Sequence, residues 1–127
     1  MPDDEVSGAR VSSNQLQIRQ EQLHGAKLLA LRGELDIATS SDLDERLQMF
    51  VEAASEHLLI DLSALSFMDS MGLQVLLRAR RKLGRQGREL VLVCPPGPIL
   101  RLLVVTNLET AFNVHPDREA AERSLRR

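Results

Sequence analysis

Two nearly unbroken apolar runs, Leu58-Leu59-Ile60-Asp61-Leu62 and Leu90-Val91-Leu92-Val93-Cys94, constrain this chain more than any other feature. Each is short for a helix and leaves no polar face. That pattern suits a strand covered on both sides, as in a parallel sheet. Parallel neighbours need a crossover connection, usually helical, and the segment between the two runs supplies one. There Leu73, Leu76, Leu77 and Leu83 recur at helical spacing, with Gln74, Arg78, Arg81, Lys82 and Arg85 on the opposite side. Gly84 and Gly87 bracket its end.

The same logic extends in both directions. Leu16, Ile18 and Leu23 fall among Gln and Arg, as in a half-buried strand. After the turn His24-Gly25-Ala26-Lys27, residues Leu28 to Leu31 form a second strand that Gly33 is expected to stop. Thr39-Ser40-Ser41 offers N-cap hydroxyls, with Asp42, Asp44 and Glu45 in the first turn, where the helix dipole favours anions. Leu43, Leu47, Phe50, Val51 and Ala54 follow at helical spacing. Beyond Pro95-Pro96, Pro98 suits a first helical residue, Ile99, Leu102 and Leu103 face the core, and Asn107 suits a left-handed cap. Ala111 to Val114 reads as a last strand, and Pro116-Asp117 opens a last helix with Ala120, Ala121 and Leu125 inward. The order is β-β-α-β-α-β-α-β-α. The fold class is therefore α/β: a single domain over residues 15–127, with a mostly parallel central sheet and an additional N-terminal strand. Residues 1–14, rich in Ser, Asp and Gly, are expected to be a disordered tail.

Composition excludes several classes of function. Sixteen basic against 18 acidic side chains give a formal net charge of -2, which is neither a nucleic-acid footprint nor a membrane-surface patch. Aromatic residues make up 2% of the chain, with no Trp or Tyr. Three Phe, expected in the core, offer few stacking platforms for single-stranded nucleic acid. One cysteine, Cys94, rules out an internal disulfide and the usual Cys-based zinc patterns, and is expected to behave as a small core hydrophobe. No motif calls for a cofactor or a metal. The polar N-terminus does not read as a signal peptide, and no apolar run reaches membrane-spanning length, so a cytoplasmic protein is expected.

In sheets of this kind function tends to sit at the carboxyl ends of strands. Two carboxylates are expected there: Asp36, in Gly33-Glu34-Leu35-Asp36, and Asp69, in Met68-Asp69-Ser70-Met71-Gly72. Three readings of Ser70 are open. It, or Asp69, is a helix cap. It is a nucleophile, although the position two residues before it is Met68 rather than the Gly of a nucleophile elbow, and none of His24, His57 or His115 has a clear reason to reach it. Or it is a phosphorylation switch, since a phosphoserine carries about -1.5 to -2 charges and a helix N-terminus tolerates them. Met68 and Met71 flank the pair at an end expected to be exposed, where flexible, polarisable side chains suit a contact surface.

The segment from Ile60 through Asp61-Leu62-Ser63-Ala64-Leu65-Ser66-Phe67-Met68-Asp69-Ser70-Met71-Gly72 to Leu73 resembles the signature of bacterial anti-sigma factor antagonists, the STAS domain family. Gly33-Glu34-Leu35-Asp36 with Ala38-Thr39 resembles an earlier motif of that family. Pro98 to Leu103, Asn107-Leu108 and Ala111-Phe112 resemble its C-terminal part, so the similarity spans roughly residues 16–125. The resemblance implies a non-enzymatic protein that binds an anti-sigma factor, usually a serine kinase of the histidine-kinase-like ATPase type, and thereby frees a sigma factor. It further implies phosphorylation at Ser70 by that kinase and restoration by a PP2C-type phosphatase. Asp36 and Asp69 would be the acids beside the acceptor. Thr39, Met68, Met71 and Gln74 would join them in partner binding, and Gly72 would let the partner approach the backbone. Where many members carry Ser or Thr after the acceptor, this chain has Met71, which leaves Ser70 as the single hydroxyl in that loop after Asp69. The alternatives are an unphosphorylated STAS scaffold or ligand-sensing module and, third, a serine hydrolase.

Overall fold

The computed structural model describes residues 16–125, so the expected tail lies outside the described residues. The chain runs through β1 (Leu16–Leu23), β2 (Ala26–Leu35), α1 (Ser40–Ala53), β3 (His57–Met68), α2 (Ser70–Arg85), β4 (Leu90–Val93), α3 (Pro98–Val105), β5 (Asn113–His115) and α4 (Arg118–Leu125). Five strands form one sheet in the order β1-β2-β3-β4-β5. β1 pairs antiparallel with β2, and the remaining neighbours pair in parallel. This is the expected element order.

The two apolar runs are buried on both faces for the expected reason. On one face Leu29, Leu31, Leu58, Ile60, Leu62, Leu90 and Leu92 pack beneath α1, α2 and α3, with Leu43, Leu47, Leu76, Leu83 and Leu103 completing the main core. On the other, Leu28, Leu59, Val91 and Val93 form a smaller cluster with Ala121 of α4. An ion-pair network fixes α4 there: Arg118 Nε donates to Asp61 Oδ2 at 2.7 Å, and Arg118 Nη1 reaches Glu21 Oε2 of β1 at 3.4 Å. Burial works to raise the Asp61 pKa. Hydrogen bonds from Ser63 and the Arg118 guanidinium outweigh it and hold the group below the ordinary carboxylate value. Burial likewise pushes the Cys94 thiol up to about 11, in keeping with a core hydrophobe.

Several boundaries differ from expectation, each for a physical reason. Gly33 does not stop β2. It sits at φ +106°, a region that favours glycine, and the β2–β3 register slips there, so that Glu34 pairs with Phe67 and Leu35 with Met68. β2 therefore runs on past Gly33, and β3 extends beyond its apolar run to Met68, immediately before Asp69 as expected. Ala111 and Phe112 precede β5, which begins at Asn113. Phe67 is not a core residue; it is 47% exposed. Asn107 does take the left-handed conformation expected of it, at φ +60°.

Candidate functional site

The register Leu35–Met68 brings the ends of β2 and β3 side by side, and with them Asp36 and Asp69. The Asp69 N–H donates to Leu35 O at 3.2 Å, which locks the two strand ends together. Asp69 is the N-cap of α2. Its Oδ1 accepts from the backbone N–H groups of Met71 (3.0 Å) and Gly72 (3.2 Å), and its Oδ2 accepts from Ile37 N–H across the loop at 3.2 Å. A single carboxylate thus caps the helix and ties down the β2–α1 loop.

Asp36 serves its own loop. Its Oδ1 accepts from Ala38 N–H (2.9 Å) and Thr39 N–H (3.1 Å). The Thr39 hydroxyl was expected to cap α1 but makes no cap bond there. It accepts from Asp36 N–H at 3.0 Å and donates to Glu34 O at 2.9 Å, so it pins the loop back onto β2.

Ser70 is the first residue of α2 and is exposed. Its hydroxyl makes no hydrogen bond among the described residues. The Met71 and Gly72 amides that a group on Ser70 would otherwise find free are already held by Asp69. Gln74, one turn on, is exposed.

Three residues expected at the contact surface are covered instead. Thr39 and Met68 are each 5% exposed; Thr39 is drawn inward by its bonds, and Met68 points into the main core. Gly72 is buried too, and its reason lies inside the molecule. A Cβ there would stand 2.7 Å from Leu35 Cγ and 3.0 Å from Met68 Cγ, so the missing side chain lets α2 settle on the strand ends rather than admitting a partner. Conversely, two apolar residues near the strand ends that sequence reasoning did not single out are exposed, Ile37 at 72% and Phe67 at 47%, while Met71, expected at the contact surface, is 40% exposed. The available signal was Ile37 itself, an apolar residue in a polar loop with no place in either periodicity.

No histidine serves Ser70. His57 begins β3, at the opposite end of the sheet, where its Nδ1 accepts from Glu89 N–H at 3.0 Å. His24 lies in the β1–β2 turn at that same end. His115 ends β5 in register with Val93 and, through it, Asp61, which leaves it roughly 20 Å short of Met68 along the strand direction. Among the described residues no group of His, Cys, Asp and Glu could hold a metal ion, and no helix is long and apolar enough to cross a membrane.

Comparison with known proteins agrees with this geometry. The STAS domain family model matches residues 17–121. An anti-sigma F factor antagonist of Paenibacillus polymyxa is 35% identical over 80% of this chain and 85% of its own length. An anti-sigma-B factor antagonist of Listeria monocytogenes is 33% identical over 65% of this chain and 72% of its own. Among solved structures, an anti-sigma factor antagonist from Mycobacterium paratuberculosis superposes with a TM-score of 0.82 at 26% identity, covering 91% of this chain and 98% of that one. Sheet order, strand-end carboxylates and matched relatives lead to one conclusion: the chain belongs to the STAS domain family, among the anti-sigma factor antagonists.

Proposed function

We propose that this protein binds an anti-sigma factor through the rim around Ser70, so releasing a sigma factor, and that phosphorylation of Ser70 switches the binding off. The partner is a serine kinase of the histidine-kinase-like ATPase type, a PP2C-type phosphatase restores the unmodified form, and the setting is the cytoplasm. The chain acts by binding rather than by catalysis.

The observation that carries this reading is an exposed serine hydroxyl, free of internal bonds, at the first position of a helix whose cap is supplied by the residue before it. Because Asp69 does the capping, modification of Ser70 leaves the helix start intact. Ile37, Phe67 and Met71 supply apolar contact area around the hydroxyl, with Gln74 beside them. Asp36 and Asp69 hold the two loops in place and set the local charge. Thr39, Met68 and Gly72 support the rim from beneath. A phosphate would place about -1.5 to -2 charges next to Asp69, with the nearest helix amides already engaged, and would present that charge to any surface docked there. A conflict of about 3 kcal/mol lowers affinity more than a hundredfold.

Intact mass after incubation with the cognate kinase and ATP tests the switch. One added phosphate is expected on the wild type and none on Ser70→Ala. Phosphate that persists in Ser70→Ala, or none on the wild type, refutes the assignment.

A further inference from the structure

At the sheet edge remote from Ser70, where α2 ends and β4 begins, the surface is indented by a cleft of about 700 Å³. Arg80, Arg81 and Arg85 of α2 line it, together with Phe112, just before β5, and Asn113, the first residue of β5. Glu89 is the one acid in this lining. Arg88 also borders the cleft, but its guanidinium is turned inward, donating to Glu56 O at 2.8 Å and Val51 O at 3.1 Å.

The charge here is one-sided. From Ser70 to Arg88 the chain carries six cations (Arg78, Arg80, Arg81, Lys82, Arg85 and Arg88) and no acid, although its net charge is -2. Three arginines find carboxylates, Arg78 with Asp44, Arg118 with Asp61 and Glu21, and Arg123 with Glu119, while Arg19, Arg32, Arg46 and Arg101 have no ion-pair partner among the described residues. Arg80, Arg81 and Arg85 have no ion-pair partner among the described residues. Arg81 and Arg85 are also a like-charged pair at i, i+4, which costs a helix rather than supporting it. The negative end of the helix dipole accounts for cations in the last turn, Lys82 and Arg85. It does not account for Arg80 and Arg81, which precede that turn and border a recess.

Guanidinium forks match phosphate oxygens in a bidentate manner, and the cleft volume lies in the range of small-molecule sites. A nucleobase would find no platform: the chain lacks Trp and Tyr, and Phe112 is buried. We propose that this cleft binds the polyphosphate group of a small anion, recognising the phosphates and not what they are attached to. An inorganic polyphosphate and the phosphate tail of a nucleotide present this same chemistry.

Isothermal titration of the full chain at low ionic strength tests the proposal, with tripolyphosphate, ATP and inorganic phosphate as probes. Tripolyphosphate and ATP are expected to bind one site with affinities within about threefold of each other, and phosphate at least tenfold more weakly. Arg81→Gln/Arg85→Gln is expected to weaken tripolyphosphate at least tenfold. Arg19→Gln/Arg46→Gln removes the same charge from β1 and α1 and is expected to leave binding unchanged. Absence of saturable binding, equal weakening by both pairs, or binding of ATP without tripolyphosphate overturns the proposal. If the cleft variant does not fold, amide shifts in the wild type decide. Shifts confined to residues 80–90 and 110–113 support the site, and shifts elsewhere reject it.

Discussion

Two glycines of α2 make opposite demands on the same substitution. Gly72→Ala places a methyl 2.7 Å from Leu35 Cγ, 2.9 Å from Leu35 Cδ2 and 3.0 Å from Met68 Cγ. Leu35 is fully buried and Met68 nearly so, so neither side chain has an open direction in which to yield. Overpacking of this kind costs about 1–3 kcal/mol, and the better helix propensity of Ala returns at most about 1. The net expectation is a loss of about 1–2 kcal/mol. Gly84→Ala, twelve residues further along the same helix, meets nothing within 4 Å and should gain about 0.5–1 kcal/mol. Urea unfolding of both variants, read as a midpoint shift at constant m-value, gives the comparison. The two should differ by about 1.5–3 kcal/mol, in opposite directions from the wild type. If Gly72→Ala stabilises as much as Gly84→Ala, the close seating of α2 on the ends of β2 and β3 is not a constraint, and the account of Gly72 fails.

Other expectations follow from the same contacts. Asp61 has its folded pKa depressed, so its contribution to stability is present above the unfolded value of about 3.9 and is lost as pH falls through the lower folded value; Asp61→Asn should flatten that acid limb in a pH series of thermal unfolding. Cys94, buried with its thiol pushed up to about 11, should resist a thiol-specific chromogenic reagent in the native protein at pH 8 and react fully in denaturant. Ser70→Asp puts an acid in the first turn of α2, where the dipole favours it; thermal unfolding should show no loss of stability, while calorimetry should show anti-sigma factor binding weakened at least tenfold relative to Ser70→Ala. Equal affinity for the two Ser70 variants would remove the electrostatic basis of the switch.

The fold was legible wherever one periodicity held over several residues. Leu58 to Leu62 and Leu90 to Cys94 announced buried parallel strands, and the leucines of α2 announced its inward face. Legibility failed where the sheet itself supplied the reason for a conformation. Residues 63–67 lack an apolar run because β3 there is buried only at every third residue; the strand's end just before Asp69 was expected, but the slipped register of its pairing with β2 was not visible in the pattern. Gly33 looked like a terminator because a glycine at a slip in register and a glycine at a stop are the same letter. At the site, the two acids and the serine stood out by residue type and position. Which methionine was covered, and whether Thr39 faced the helix or the strand, depended on side-chain direction at two adjoining strand ends. Local spacing does not encode that direction.

The engagement of Asp69 has a consequence for time rather than affinity. Both of its oxygens are spoken for, one by the helix and one by the Ile37 amide, and no imidazole stands close by. A phosphate ester formed on Ser70 would therefore find neither Asp69 nor a histidine free to deliver water to it. Without those two routes such a mark would decay slowly and would last chiefly until an outside hydrolase erased it, so the molecule would carry a record of past kinase activity rather than a running report of it.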